Sequence, residues 1–487
     1  MPARLRLPSF ADRLLHVLAC LAFALVAACA RIESPQREGM LVAAALPEPN
    51  AIDPDSPSRP DTRQHAAFTH DFLEAFAEQL GVPLRMVAVD DPDHLRQLLQ
   101  TQRVHLGGFV DARPAIEGVL MTRPLTGFAM RIAHRDDRPS PASLADLAGQ
   151  EVHALVGSAA AAALAELPAA ERPRLVAHGG MTAQGLLARV ANGEFGYAAC
   201  DELNLTVAAN FQPELQAGPA LFGQRDIALA VPDTGDTALR DALDDFIAES
   251  RANGTLQRLY DRHYGHVTRI GPELAARFLA DVQTVLPRYR ADFEHAQDRT
   301  GLDWRLLAAL AYQESKWNPL ATSPTNVRGI MMLTEETADA LNVDNRLDAA
   351  QSIRAGADYL RQLIDQLPPS VPLPDRLWFG LAAYNLGAGH LNGGRGIGLR
   401  LNKDVDSWYD MKSVLPLMAR PEYFARLKSG RARGGEAVIL VENVRNLYGI
   451  LQRLEPARDA PFARMSARAT SAAQTDQAAL RRSAPPR

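Results

Sequence analysis

The pattern of the sequence changes once, near Gly271 and Pro272, and this change constrains the fold more than any other feature. Before it, short apolar runs alternate with segments of helical spacing, and after it the spacing is mostly helical up to about residue 454. Alternating strands and helices predict an α/β domain with a largely parallel sheet. The sequence therefore predicts an α/β domain over residues 40–266 and an all-α domain over residues 273–454.

The α/β half contains recognisable strands and one clear amphipathic helix. Phe68, Phe72 and Phe76 recur at helical spacing before Gly81, a residue type that commonly ends helices, so a helix is predicted over residues 68–80. Five apolar runs have the length of buried strands: residues 40–46, 84–89, 104–110, 151–156 and 195–201.

The first 28 residues are predicted to be an export signal. Arg4, Arg6 and Arg13 accompany a mostly apolar run over residues 14–28. This run is shorter than the roughly 20 apolar residues that a transmembrane helix needs. We therefore expect residues 1–28 to be removed on export.

Cys29 follows Val-Ala-Ala at residues 26–28, and this segment resembles a bacterial lipobox. The resemblance implies cleavage before Cys29 and lipid attachment to its thiol. Ordinary cleavage with an incidental cysteine is the alternative. Ala30, rather than an aspartate, suggests sorting to the cell outer membrane. The expectation is a protein anchored by lipid on the periplasmic face of that membrane, with polar residues 29–39 as a tether.

Composition argues against several classes of function. Hydrophobic residues make up 47% of the chain and charged residues 22%, as in soluble globular proteins. A net charge of −5 gives no sign of a nucleic-acid partner. Two of the three cysteines lie in the first 29 residues, so Cys200 is expected to be an unpaired, buried side chain. No metal motif is present in the sequence, and we expect neither a metal nor a cofactor.

One helix in the second half has a carboxylate on its apolar face. Leu307, Leu310, Ala311 and Glu314 recur at i, i+3, i+4 and i+7, before a stop at Pro319. A carboxyl group at the edge of an apolar environment has a raised pKa and can serve as a general acid. The alternative is a glutamate that turns to solvent at the helix end.

Three further segments carry a resemblance to a known family. Glu314-Ser315, Gly-Ile-Met-Met at residues 329–332 and Ala-Tyr-Asn at residues 383–385 resemble the successive motifs of lytic transglycosylases. The resemblance implies a lysozyme-like all-α domain. It also implies a carbon–oxygen lyase whose substrate is the glycan strands of peptidoglycan. Substrate-binding roles are then expected for five residues: Ser323, Met331, Met332, Tyr384 and Asn385.

In this family a single glutamate performs both proton transfers. The resemblance assigns Glu314 to protonate the oxygen leaving C1 of N-acetylmuramic acid (MurNAc), at its β-1,4 bond to N-acetylglucosamine (GlcNAc). The same residue then takes the proton of the C6 hydroxyl, and a 1,6-anhydro sugar forms. Most glycoside hydrolases instead use two carboxylates.

The segment over residues 429–444 departs from the family pattern. It resembles the final motif, in which several tyrosines are expected, but Leu440 stands where one of them would hydrogen-bond near the catalytic glutamate. Two alternatives therefore stay open: a non-catalytic protein that binds or senses murein, and a lysozyme-like hydrolase that uses Glu314 and water.

Residues 37–266 resemble a type 3 extracellular solute-binding domain, with two α/β lobes around a cleft. The segments over residues 144–158 and 253–265 carry the resemblance best. It assigns Arg113 to a ligand carboxylate and Asp201 to a ligand amine, and the Gly-Ser turn at Ser158 could bind an anion at a helix N-terminus. An amino acid or muropeptide effector is the expected ligand, and a vestigial scaffold without a ligand is the alternative.

Three remaining segments have weaker signals. Residues 455–487 are rich in Ala, Ser, Pro and Arg and are predicted to be a disordered tail. The glycine-rich residues 393–398 are predicted to form a flexible loop. His263 and His266 are predicted to lie at the surface.

Overall fold

The computed structural model of the chain describes residues 32–45, 68–89, 92–111, 116–169 and 171–458. The predicted signal, Cys29, Arg113 and residues 459–487 lie outside the described residues, so their assignments stay predictions. Among the described helices, none has both the length and the apolar character needed to cross a bilayer.

The described residues of the first half form one continuous sheet. Its strands are β1 Leu41–Ala45, β2 Leu84–Ala88, β3 Leu106–Asp111, β4 Val119–Met121, β5 Thr126–Arg135, β6 Glu151–Leu155, β7 Arg174–His178, β8 Tyr197–Asp201 and β9 Leu215–Pro232. Their order is β2-β1-β3-β9-β5-β8-β6-β7, with β4 paired to β9. The five predicted strands correspond to β1, β2, β3, β6 and β8, and their ends differ by at most two residues.

The sheet is mixed rather than largely parallel, which corrects the prediction. β1 is parallel to β2 and β3, and β6 is parallel to β7 and β8. The antiparallel pairs all involve β5 or β9, two strands absent from the prediction. The apolar pattern did not predict β9, because it is interrupted by Gly218, Pro219 and the charged residues at 225–226.

β5 and β9 connect two lobes. The C-terminal part of β9 pairs with β3 and β4 in the first lobe, and its N-terminal part pairs with the end of β5 in the second lobe. Each lobe has its own apolar core, centred on Phe72 and Ile247 in the first and on Val152 and Leu164 in the second. The predicted two-lobed α/β architecture is confirmed.

The helices of the first half cover the faces and ends of this sheet. They are α1 Pro35–Glu38, α2 Phe68–Leu80, α3 Pro92–Gln100, α4 Ala159–Glu166, α5 Ala183–Ala191, α6 Glu202–Phe211, α7 Ala238–Ala252 and α8 Thr255–Tyr264. The predicted helix over residues 68–80 is α2 with the same ends. Cys200, predicted to be buried and unpaired, is a buried free thiol.

After a short junction the described chain is helical. The helices are α9 Pro272–Thr284, α10 Arg290–Thr300, α11 Trp304–Ser315, α12 Glu335–Ala340, α13 Ala349–Asp365, α14 Asp375–Leu386, α15 Ala388–Arg400, α16 Trp408–Val414, α17 Pro421–Phe424 and α18 Gly434–Leu454. We call residues 32–266 the α/β module and residues 272–458 the helical module. The predicted all-α second half is confirmed.

Helix α11 lies at the centre of the helical module. Each of its residues from Trp304 to Tyr312 is buried, so the helix is surrounded on all sides rather than on the single face predicted. Trp317 and Phe278 pack against the ring of Tyr312, and each ring centroid lies 4.6 Å from that of Tyr312. The centroids of Phe278 and Trp317 are 5.8 Å apart. The last turn of α11 is therefore held rigidly by a dense core.

The glycine-rich segment over residues 393–398 is helical, which corrects the predicted flexible loop. It lies within α15, where Gly394 and Gly398 pack against Met411 of α16 and against residues on either side of that helix. A Cβ at Gly394 would lie 2.6 Å from Leu415 Cδ2, and one at Gly398 would lie 2.9 Å from Val405 Cγ1. These glycines serve close packing of helices rather than loop flexibility.

The first four residues of the predicted disordered tail, 455–458, are described and pack on the helical module. Glu455 is buried and pairs with Arg290. Arg458 donates hydrogen bonds to Glu294 and Asp298, at 2.5 and 2.7 Å. The ordered part of the helical module therefore extends past Leu454.

Polar side chains join the two modules. Asp261 of α8 pairs with Lys412 and with Arg445, the latter at 3.5 Å. Asn446 donates to the carbonyl of Thr268 in the junction, at 2.9 Å.

His263 of α8, predicted to lie at the surface, is buried and is 2.9 Å from Asp71 of α2, which corrects that prediction.

Candidate active site

Helix α11 carries Glu314 in its last turn. Asp303 caps the helix start by accepting from the backbone N–H of Arg305 at 2.9 Å. After Ser315 the chain turns sharply, because Lys316 and Trp317 both have positive φ angles of 56°. The buried indole of Trp317 donates back to the carbonyl of Ala308 at 2.8 Å. This turn fixes the direction in which the end of the helix presents its side chains.

Glu314 is half-buried at this helix end. Burial raises the pKa of its carboxyl to about 7, although the positive charge of the nearby Lys316 ammonium partly counters this rise. The Glu314 carboxylate makes no hydrogen bond with any residue that the structure describes. Nothing therefore offsets the cost of burying its charge except Lys316, and near neutral pH the group is close to half protonated.

Ser315 connects the helix to the glycine-methionine motif. Its hydroxyl donates to the carbonyl of Ile330 at 2.8 Å. Gly329, just before, has a φ of +87°, and a Cβ there would overlap the carbonyl oxygen of Arg346. Only glycine fits this position without strain. The first two motifs are thus joined directly at the end of α11.

Tyr384 brings the third motif to the same place. Its hydroxyl donates to the carbonyl of Met331 at 2.7 Å. Burial raises the pKa of Tyr384 well above its usual range, and the negative charge of Glu314 raises it further. Ser315, the residue after Glu314, bonds Ile330, and Tyr384 bonds Met331, so both later motifs are tied to the end of α11. The structure therefore assembles all three motifs around one carboxyl group.

The other expected substrate-binding residues have different environments. Met331 is fully buried, and its side chain contacts Gly356 so closely that a Cβ there would lie 2.7 Å away. Met332 is half-buried with a φ of +50°. Ser323 accepts from the backbone N–H of Val327 at 3.1 Å and so holds its own loop. Asn385 is exposed. Met331 thus belongs to the core, while Met332, Ser323 and Asn385 border solvent.

In the α/β module the two described candidates act as helix caps. The hydroxyl of Ser158 accepts from Ala161 N–H at 3.1 Å and donates to Leu155 O at 2.7 Å. Asp201 accepts from the backbone and side-chain N–H groups of Asn204, both at 2.7 Å. Burial raises the pKa of Asp201, and the bonds from Asn204 counter it. A ligand that binds at either residue would therefore share that side chain with the helix cap that it already forms.

The described residues contain one group with metal-ligand types in mutual reach, His70, Asp71 and Glu74 on α2. Asp71 already bonds His263 and lies 3.7 Å from Arg262. The group lies in the α/β module and is not part of the site around Glu314.

Comparison with known proteins identifies the family. Residues 292–397 match the transglycosylase SLT domain, and residues 52–266 match bacterial extracellular solute-binding proteins, family 3. Over 406 residues the chain is 39% identical to the membrane-bound lytic murein transglycosylase F of Marinobacter nauticus, covering 83% of this chain and 80% of that relative. The chain belongs to the membrane-bound lytic murein transglycosylase F family. The relative of the same name from Methylobacillus flagellatus is 40% identical over 403 residues, covering 81% of this chain and 84% of its own.

Among the solved structures that are similar to this chain is one that covers part of it. It is an amino acid transporter substrate-binding protein of Streptococcus pneumoniae bound to L-arginine, and it is 20% identical to this chain. The match covers 48% of this chain and 98% of that chain, with a TM-score of 0.40.

Two side chains near the site were not foreseen from the family motifs. Tyr359 of α13 packs against Tyr384, with ring centroids 5.4 Å apart. Lys316 reaches back over the ring of Tyr312 and donates to the carbonyl of that residue at 3.1 Å. Tyr359 lies between the motifs of the transglycosylase F family and has no local signal in the sequence. Lys316 directly follows Glu314-Ser315, so its place beside the acid could be predicted from the sequence.

Proposed function

We propose that this protein is a lytic transglycosylase that cleaves the MurNAc–GlcNAc β-1,4 bond of peptidoglycan, with Glu314 as its general acid and base. Glu314 donates its proton to the glycosidic oxygen as the C1–O bond breaks. The MurNAc C6 hydroxyl then attacks C1, and the Glu314 carboxylate takes its proton. A C1–O6 bond forms, the product is 1,6-anhydro-MurNAc, and Glu314 is protonated again.

The observation that carries this proposal is the half-buried position of Glu314 at the end of α11, where no described residue bonds its carboxylate and burial raises its pKa to about 7. A residue that must first give and then take a proton works best when its pKa lies near the working pH. The absence of a hydrogen bond to the carboxylate from the described residues leaves its oxygens available to the substrate. Attack by the C6 hydroxyl of the same sugar is intramolecular, which favours it over attack by water.

The lysozyme-like hydrolase is less well supported. Hydrolysis would normally need a second carboxylate in the site. Three glutamates close in sequence to the motif segments, Glu335, Glu336 and Glu436, are all exposed. Glu335 lies 3.7 Å from Arg346 with a side chain that is 70% exposed. Such solvated carboxylates are poorly suited to activate a bound water.

The non-catalytic alternative depends on Leu440. This residue is buried with 7% exposure and belongs to the apolar core of the helical module. It offers no donor to Glu314, and the carboxylate lacks any other donor among the described residues. A catalytic site of reduced activity is our proposal, since the raised pKa of Glu314 does not need the tyrosine.

Three of the expected substrate-binding residues keep that role in the proposal, and two change it. Asn385, exposed beside Tyr384, can donate to and accept from the sugar amide and hydroxyl groups. Met332 offers an adaptable apolar surface at the border of the site, and Ser323 is a further polar group there. Tyr384 and Met331 support the site from within, because the hydroxyl of one is bonded to the carbonyl of the other.

For the α/β module we propose an effector with a free carboxylate, either an amino acid or a muropeptide. The match to family 3 solute-binding proteins over residues 52–266 supports this role. Arg113 would pair with the carboxylate through its planar fork of donors, and Asp201 would hold the amine. Ser158 would contribute only if the ligand replaced its present bonds.

We also propose that the protein is anchored by lipid at Cys29 on the periplasmic face of the cell outer membrane. The relatives named membrane-bound, together with residues 26–30, support anchoring. An anchored enzyme stays beside its substrate, the peptidoglycan glycan strands.

Mass spectrometry of the products released from purified sacculi tests the proposed reaction. Soluble muropeptides that end in 1,6-anhydro-MurNAc are expected. Reducing-end sugars would instead identify a hydrolase, and binding to sacculi without any soluble product would identify a non-catalytic protein.

A further inference from the structure

A cavity of about 460 Å³ lies between the α/β module and the helical module. We call it the intermodular cavity. Helices α6 and α8 with the junction line one side, and the start of α14 with the end of α18 lines the other. Its volume falls in the range of about 300–1,000 Å³ that is typical of small-molecule sites. Neither Glu314 nor the effector candidates Ser158 and Asp201 line it, so it is distinct from both proposed sites.

The charged lining of the intermodular cavity is mostly positive. Three arginines, Arg262, Arg445 and Arg453, line it together with one carboxylate, Asp71. Arg262 lies 3.7 Å from Asp71 and 3.6 Å from Asp375, and Arg445 pairs with Glu442 and Asp261. Two of the three arginines are therefore already paired with carboxylates, and Arg453 remains.

Arg453 is the cation without a counter-charge. Its guanidinium lies over the ring of Phe211, 5.1 Å from the centroid, and makes no ion pair or hydrogen bond with a described residue. Burial lowers the pKa of Arg453 to about 10, which still leaves it charged at neutral pH. A half-buried arginine that keeps its charge normally has an anionic partner.

Two further nitrogens of the lining are buried without a partner. The side chain of Arg445 is only 1% exposed; its terminal nitrogens bond Glu442 and backbone carbonyls of α8, but its Nε has no partner among the described residues. The Nε of Arg262 is likewise buried and unpartnered. Both nitrogens have almost no accessible surface, so an anion in the cavity would be attracted by the positive charge of these two arginines and would not contact their Nε–H groups.

From these observations we propose that the intermodular cavity binds a small oxyanion, a carboxylate or a phosphate group. Its oxygen atoms would accept from the guanidinium of Arg453, in the geometry that guanidinium groups favour for oxyanions, and the positive charges of Arg262 and Arg445 would add to the attraction. Arg262 belongs to the α/β module, whereas Arg445 and Arg453 belong to the helical module. The bound anion thus joins the two modules and stabilises their contact.

Isothermal titration calorimetry on the full chain tests this site, with sodium citrate and sodium phosphate titrated separately at matched ionic strength. We expect one saturable site, and we expect Arg453→Leu to weaken it at least tenfold. The matched control is Arg433→Leu, which removes an arginine that is 78% exposed at the other end of α18 and should leave the affinity unchanged. A site for citrate alone identifies a carboxylate ligand, and one for phosphate alone identifies a phosphate ligand.

Either of two results overturns the proposal: no saturable binding of either anion, or equal affinity in wild type and Arg453→Leu. If Arg453→Leu does not fold, Leu373→Trp replaces it. Leu373 lines the cavity and is 65% exposed, so a larger side chain there narrows the entrance without disturbing the core. Affinity that is unchanged in Leu373→Trp would then overturn the proposal.

Discussion

The hydroxyl of Tyr384 donates its hydrogen bond to the backbone carbonyl of Met331, at 2.7 Å, and not to the neighbouring Glu314. The bond ties the third motif to the second, and it uses the only proton that Tyr384 could offer. Because Leu440 has no donor either, the Glu314 carboxylate is left without a hydrogen bond from the described residues. This arrangement keeps the pKa of Glu314 high, and the predictions about the acid follow from it.

The first prediction concerns catalysis. Glu314→Gln keeps the size of the side chain but cannot exchange a proton, and general acid–base assistance is typically worth ~10²–10⁴-fold in rate. Since one residue performs both transfers, turnover of sacculi should fall below detection while binding to sacculi persists. Release of anhydro-muropeptides measures the effect. Glu335→Gln, at an exposed carboxylate, is the control and should retain wild-type activity; if it loses activity, a second catalytic carboxylate is indicated.

The same substitution should affect stability in a way that depends on pH. The pKa of Glu314 rises from 4.5 to about 7 on folding, so the stability that its protonated form contributes is complete below pH 4.5 and is lost as the pH rises through 7. A shift of this size corresponds to about 3 kcal/mol at most, at 1.36 kcal/mol per pKa unit. Glu314→Gln should therefore unfold at a higher temperature than wild type at pH 8, with little difference at pH 4.

Thermal unfolding followed by circular dichroism at both pH values measures this difference. A wild-type protein that is as stable as Glu314→Gln at pH 8 would mean that the carboxyl is not buried in solution. The activity of wild type should also fall above pH 7, because the first step needs the protonated acid.

The sequence predicted the motifs but not how they are held together. The pairing of Glu314, residues 329–332 and Tyr384 could be inferred because their order and spacing match a known family. The bonds from Ser315 to Ile330 and from Tyr384 to Met331 could not, since each joins a side chain to a backbone carbonyl. Such contacts cannot be predicted from residue types, because a backbone carbonyl is present at every position. Tyr359 was missed because it contributes a ring contact from a helix between the motifs.

The periodicity of apolar residues predicted some helices and strands of the fold but not others. Helix α2 was placed with its observed ends because three phenylalanines mark one face. Strands β5 and β9 were not predicted, because these strands, which cross between the lobes, carry polar and glycine residues that hide the alternation. The contact between the modules could not be predicted either: Arg445 donates to the backbone carbonyl of Asp261, 184 residues away in the chain, and nothing local to either residue signals the other.

The second motif should depend on the glycine at its start. Gly329 has a φ of +87°, and a Cβ there would overlap the carbonyl oxygen of Arg346. Gly329→Ala should destabilise the protein by about 2 kcal/mol or more, since the left-handed conformation alone costs roughly 1–2 kcal/mol for a residue with a Cβ. Urea unfolding measures the loss. Gly389→Ala is the matched control, because that glycine is exposed on α15 with open space around it, and it should be neutral or stabilising.

The lipid anchor leads to a prediction about fractionation. Cys29→Ala removes the only thiol at the predicted cleavage site, so the protein should move from the membrane fraction to the soluble fraction of the periplasm. Immunoblotting of both fractions after cell breakage measures the change. Wild-type protein already found in the soluble fraction would contradict the lipobox assignment.

The last prediction separates a weakened enzyme from a non-catalytic protein. Leu440 occupies the position where the resembled family has a tyrosine close to the acid, and it is buried with 7% exposure. Leu440→Tyr should supply the missing donor to the Glu314 carboxylate and raise the rate of anhydro-muropeptide release, because a hydrogen bond to a charged group is worth about 1.5–3 kcal/mol and orients the acid.

Leu440→Phe provides the control, since it adds the same ring without the hydroxyl and should leave the rate at or below that of wild type. An equal gain in both variants would show that packing, and not the donor, limits the reaction. No activity in wild type and in Leu440→Tyr, with both proteins folded and bound to sacculi, would instead establish the murein-binding alternative.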